Sequence, residues 1–208
     1  MPAGSLWYAC INNRYNHNTV YIFIFSVINF HRCPGFCVQA LLILFWRICR
    51  LQKGPEDVPA STALFVLLLL LSLFLDLVST RLGLPDIRAF EILLIVIIAN
   101  ASILVLTAVL LQLLGYVQRI LQTLSTLLGA SILITLLAMP VLFGLQTRMD
   151  EPGGWGTMLL LLELWHLVIT AHILRRALSV SLLLGLMLAT GYKLLGYQVV
   201  GLFVTTAS

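Results

Sequence analysis

Asp76, Glu163 and Lys193 each stand inside a long leucine-dense stretch of the chain. An ionised side chain at the centre of a bilayer costs about 2.5–3.5 kcal/mol on insertion scales, so each of these groups requires a partner. With the N-terminus on the cytoplasmic side the three fall at similar depth, and Lys193 is expected to pair with Glu163 or Asp76. Two chemistries are open to such a set. A closed ion pair fixes how helices pack, whereas a chain of exchangeable groups carries protons or ions. His166 follows Glu163 by three residues, so the two share a helical face in the Glu-x-x-His spacing of di-metal carboxylate bundles. That template needs a second Glu-x-x-His and two further glutamates, which the sequence does not supply. No metal and no cofactor is therefore expected, and His166 reads as a hydrogen-bonded packing residue. His172, on another face beside Arg175, reads as interfacial. Asn100, in Asn100-Ala101-Ser102, completes the candidate polar cluster. The triplet is formally a glycosylation sequon, but in mid-span it is out of a transferase's reach. An interhelical hydrogen bond, worth about 0.6 kcal/mol on average, is the better reading.

The elements that must position these residues are built for lipid. Of 208 residues, 61% are hydrophobic and only 10% are charged, whereas a water-facing domain carries roughly 25%. A helix in a bilayer satisfies its own backbone and needs only an apolar exterior. The formal charge of +4 is small and scattered, which argues against a nucleic-acid partner. The expected partners are the lipid bilayer and other membrane proteins. No phosphate loop, Ser-His-Asp set, nucleotide fingerprint or nucleophile elbow appears, so no enzymatic activity is expected. Cys33 and Cys37, with His31 nearby, lack the second ligand pair that a zinc site requires.

Residues 1–37 differ from the rest. They hold one leucine, Leu6, and five of the six asparagines, and their apolar run from Val20 to Phe30 is shorter than the roughly 20 residues a span needs. Either this is a disordered extension, or the chain starts at Val38 from a GTG codon. Residues 38–60 read as a short interfacial helix with Arg47, Arg50 and Lys53 at its end, followed by the stiff turn Gly54-Pro55-Glu56-Asp57-Val58-Pro59. Ser61 or Thr62 caps the next helix.

Residues 61–204 read as one all-α membrane domain, a bundle of five transmembrane helices. The spans are Ala63–Ser79, Phe90–Leu114, Leu127–Leu145 with Pro140 as a kink, Thr157–Leu174 and Ala177–Val204. Before the third, Val117, Ile120, Leu121, Leu124 and Leu128 recur at helical spacing among Gln118, Arg119, Gln122, Ser125 and Thr126, the pattern of a second interfacial helix. Ser181, Gly185 and Ala189 form a small-residue stripe that permits close helix contact, for internal packing before dimerisation. With the N-terminus inside, Arg47, Arg50, Lys53, Arg119, Arg175 and Arg176 are cytoplasmic, against Arg81, Arg88 and Arg148 outside, which favours that orientation.

A short basic helix, a Gly-Pro turn, five spans, Gln118-Arg119-Ile120-Leu121-Gln122-Thr123-Leu124 before the third span and Leu164-Trp165-His166-Leu167-Val168-Ile169 in the fourth together resemble the Yip-domain family over residues 39–204. Its eukaryotic members are five-span Golgi and ER proteins that interact with Rab-type GTPases. The resemblance implies a non-enzymatic multispanning scaffold or trafficking factor with a cytoplasmic N-terminus, of the bacterial inner-membrane branch. Lys53-Gly54-Pro55-Glu56-Asp57 stands where those members have Asp-Leu-Tyr-Gly-Pro, so GTPase binding is not carried over. The competing expectation is a small transporter or channel subunit that uses Asp76, Glu163 and Lys193.

Overall fold

The computed structural model describes residues 34–83, 87–147 and 153–207, all helix, turn or loop. The helices are α1 (Pro34–Cys49), α2 (Thr62–Gly83), α3 (Ala89–Leu113), α4 (Ile120–Thr147), α5 (Gly153–Leu178) and α6 (Leu182–Ala207). Single 3₁₀ turns at Pro55–Asp57 and Val117–Arg119 precede α2 and α4. Residues 1–33 lie outside the described set, and with them most of the expected N-terminal extension. From Leu42 onward the chain forms one compact unit, to which all packing below refers.

Four helical segments, Thr62–Gly83, Ala89–Leu113, Val117–Thr147 and Gly154–Leu178, are long and apolar enough to cross a membrane. Beyond the polar start of Val117–Thr147, each is dominated by leucine and other apolar residues. Their ends follow local chemistry. Ser61 opens α2, its Oγ accepting the N–H of Leu64 (3.4 Å). Ser181 opens α6 in the same way, accepting from Leu184 (3.3 Å). Between α5 and α6 the chain reverses at Ser179, whose φ of 56° is left-handed. The Val180 N–H closes back on the Arg175 carbonyl (3.1 Å). Helix α5 thus runs past Arg175 and Arg176, where its end was expected, and α6 starts at Leu182 instead of Ala177.

Helix α4 is central. It packs on α2, α3 and α5, while α6 lies against α5 and α3. The separate interfacial helix expected before the third span is not found. The chain is one helix from Ile120 to Thr147, with Thr123 through Ala130 buried all round. The reason is hydroxyl chemistry. Thr123 donates to the Arg119 carbonyl (2.8 Å) and Thr126 to that of Gln122 (2.6 Å), so these two hydroxyls are satisfied along their own helix, while the buried Ser125 Oγ has no hydrogen-bond partner among the described residues. Pro140 lies within α4, which continues through it.

Glycine sets two close approaches. The Phe45 ring of α1 occupies the space where Gly129 would carry a Cβ, and a Cβ on Gly185 would lie 2.6 Å from the Ala171 carbonyl oxygen. The Ser181-Gly185-Ala189 stripe therefore faces α5 inside the unit, and Ala189 is wholly buried.

Candidate functional site

The polar residues of the long helices gather in two neighbouring sets. In the first, α6 presents Lys193 to α5. Its Nζ lies 2.5 Å from Glu163 Oε2 and 3.2 Å from His166 Nδ1. An ammonium group only donates, so Nδ1 accepts and His166 is the neutral tautomer with its proton on Nε2. The Glu-x-x-His spacing thus grips a lysine from the next helix. The pair is not deeply enclosed, since the Glu163 side chain is 51% exposed and that of Lys193 30%.

In the second set, Asp76 of α2 accepts on Oδ2 from Asn100 of α3 (3.0 Å) and from Ser72, one turn earlier on α2 (3.2 Å). The same Asn100 amide donates to the Val96 carbonyl (3.0 Å). Asp76 is within electrostatic reach of Lys193, so the two sets share one field. Of the two partners open to Lys193, the direct contact goes to Glu163. Thr107 and Tyr192, both buried, add a hydrogen bond between α3 and α6 (3.2 Å).

A third constellation lies at the base of the bundle and was not legible in the sequence. The Gly-Pro turn is bolted to α4 and α5. Asp57 Oδ2 accepts the Gly54 N–H (3.1 Å) and Oδ1 pairs with Lys53 (2.9 Å). Glu56 pairs with Arg176 (2.9 Å). The Val58 carbonyl accepts from Gln122 (3.1 Å) and the Cys49 carbonyl from Trp165 Nε1 (3.2 Å). His172 is buried, and its Nε2 donates to the Lys53 carbonyl (3.2 Å), so it anchors the turn. Trp46 meets Trp165 edge-on, with ring centroids 6.3 Å apart. Partial burial disfavours the charged form of Asp57. The Lys53 and Gly54 hydrogen bonds and the Lys53 and Arg176 charges outweigh it and hold the carboxyl below its ordinary value. Burial pushes the Cys49 thiol up to about 11, leaving it an inert packing group.

Among the described residues no group of three or more His, Cys, Asp or Glu could hold a metal ion. Cys10 and Cys33 lie outside them. A hollow of about 360 Å³ opens along α2 between Phe74, Leu77, Val78, Arg81 and Leu82, none of which belongs to the polar sets.

No family model, curated protein or solved structure matches this chain. The helices define the class as far as it goes: an all-helical protein with several segments able to cross a membrane.

Proposed function

We propose that this chain is a five-span membrane protein, α2 to α6, that acts as a non-enzymatic scaffold or assembly factor through protein partners in the manner of the Yip-domain family. The observation that carries the reading is the mutual saturation of its intramembrane polar groups. Lys193 is taken by Glu163 and His166, and Asp76 by Asn100 and Ser72. Groups committed to one another in this way lock helix to helix and leave the apolar exterior as the surface offered to neighbours. Helix α6 is apolar throughout its 26 residues except for Lys193 and a few uncharged polar side chains, which supports it as the fifth span. The bacterial inner-membrane location rests on the family resemblance, and the distribution of Arg and Lys between the loops supports a cytoplasmic N-terminus.

Site-specific photocrosslinking in intact membranes from Leu70 on α2 and Leu194 on α6 tests this reading. Defined adducts with particular membrane proteins support it, and crosslinks to lipid alone argue against it.

The second reading, proton or ion transfer, has one observation in its favour. Lys193 touches two exchangeable acceptors and shares a field with Asp76. Proteoliposome flux abolished by Glu163→Gln would replace the scaffold reading with this one.

A further inference from the structure

The base of the bundle carries more positive charge than its own carboxylates absorb. Lys53 takes Asp57 and Arg176 takes Glu56. Arg119 lies over the Tyr116 ring at 5.2 Å and reaches Ser179 at 3.5 Å. Arg47, Arg50 and Arg175 remain exposed, and none of them enters an ion pair among the described residues.

The height of Arg47 and Arg50 on the bundle sets them apart from Arg175. On α4, Phe45 meets Gly129, while Gln122, two helical turns nearer the base, bonds Val58. On α5, Trp165 bonds Cys49, while His172, again two turns nearer the base, bonds Lys53. Two turns are about 10 Å. Both pairs of contacts place α1 farther from the base than the turn, toward the exposed leucines of α2 and α6. If those leucines face lipid, as the membrane reading requires, α1 lies in the zone that interfacial helices occupy.

Ile43, Trp46, Arg47 and Arg50 follow one another at i, i+3, i+4 and i+7, and all four are exposed. The Arg50 N–H still closes on the Trp46 carbonyl (3.0 Å), so the helical spacing extends to it. One face of α1 therefore offers an aliphatic and an aromatic surface beside two guanidinium groups. An arginine at this depth lays its stem along acyl chains and extends its head group to an anion at the interface. Its planar fork matches phosphate oxygens in pairs.

We infer that Arg47 and Arg50 hold the headgroup phosphate of an anionic phospholipid, whose upper acyl chain runs over Ile43 and Trp46. Net negative charge is required because two guanidinium groups face one phosphate, and a choline or ethanolamine headgroup would set a cation against them.

Trp46 and its edge-on neighbour Trp165 report together on this site. The full chain, with Trp7→Phe and Trp155→Phe so that these two remain, is reconstituted in phosphatidylcholine–phosphatidylglycerol vesicles in which one lipid or the other is brominated on its acyl chains. Stronger quenching by brominated phosphatidylglycerol is expected, reflecting a preference of about fivefold per arginine. Arg47→Gln with Arg50→Gln should bring the two lipids to parity, while Arg47→Lys with Arg50→Lys, which keeps the charge and loses the paired hydrogen bonds, should retain only part of the preference. Equal quenching in the unsubstituted protein overturns the site whatever the variants do. So does an equal loss of preference in Arg119→Gln with Arg175→Gln, because the effect would then belong to the whole basic face.

Discussion

At the base of the bundle, Thr123–Ala130 of α4 and most of Ile169–Leu178 of α5 are buried beneath α1, the Gly-Pro turn and the start of α6. Along α2 and the body of α6 the side chains lie open, with Leu70, Phe74, Leu183 and Leu194 at 62%, 61%, 65% and 58% exposure. Both regions lie on long, apolar helices, yet they are covered differently. The base is packed by protein, with carbonyls of the α1–turn segment met by Trp165, His172 and Gln122. The open region forms an apolar surface much larger than a monomer in water sustains, in keeping with helices able to cross a membrane. The lesson is that leucine density identifies lipid-facing helices but does not separate their lipid-covered parts from their protein-covered parts.

Four perturbations test this contrast, taken from the largest effect to the smallest. Phe45→Ala removes the ring that fills the notch at Gly129 and should destabilise the base by about 3–5 kcal/mol in detergent-solubilised thermal or denaturant unfolding. A loss under about 1 kcal/mol would mean that α1 is not part of the packed unit. Lys193→Met leaves Glu163 without its cation in a lipid-facing position, at a cost approaching about 2.5 kcal/mol if the carboxylate stays charged. Adding Glu163→Gln should recover much of that loss. Strictly additive losses in the double-mutant cycle would dissolve the pair.

Tyr192→Phe deletes one hydrogen bond to Thr107 at constant shape and should cost about 0.6 kcal/mol. The smallest effect is in pH. The Asp57 carboxyl is held below its ordinary value in the folded protein, so its contribution is present above the unfolded value of about 3.9. That contribution is lost as pH falls through the lower folded value. Because Asp57 and Lys53 are partly exposed, the effect on stability should be under about 1 kcal/mol. It is best read as undocking of the turn, by increased reaction of Cys49 below about pH 4 with a pyridyl disulfide, which protonation activates in acid, in a chain with Cys10, Cys33 and Cys37 replaced by serine, with Asp57→Asn showing the same reaction at neutral pH.

The helices themselves were legible because lipid imposes a simple rule: about 20 apolar residues with an internally satisfied backbone. The ends were less so. Arg175 and Arg176 look like a stop, yet their charges lie on the exposed side of a helix that continues to Leu178. Within the polar cluster, the need of Lys193 for a carboxylate could be read from cost alone, but the choice of Glu163 over Asp76 depended on α5 lying against α6. Asn100 was expected to bond across helices, and the fold supplies Asp76 as its partner. The turn anchors were missed because their partners lie far apart in sequence, and a carbonyl acceptor such as that of Lys53 or Cys49 has no residue signature. The one available cue was the presence of both Glu56 and Arg176, an acidic and a basic residue at the same membrane face.

What the sequence determined alone was the solvent and the kind of element, since the free energy of placing a leucine or an aspartate in lipid belongs largely to the residue and little to its neighbours. The tertiary structure decided which polar group met which, and which apolar face was shared between helices. Those outcomes depend on angstrom-scale approach at positions such as Gly129 and Gly185, where the absence of a side chain admits Phe45 and the Ala171 carbonyl. A pairing of that kind exists only once both helices are in place.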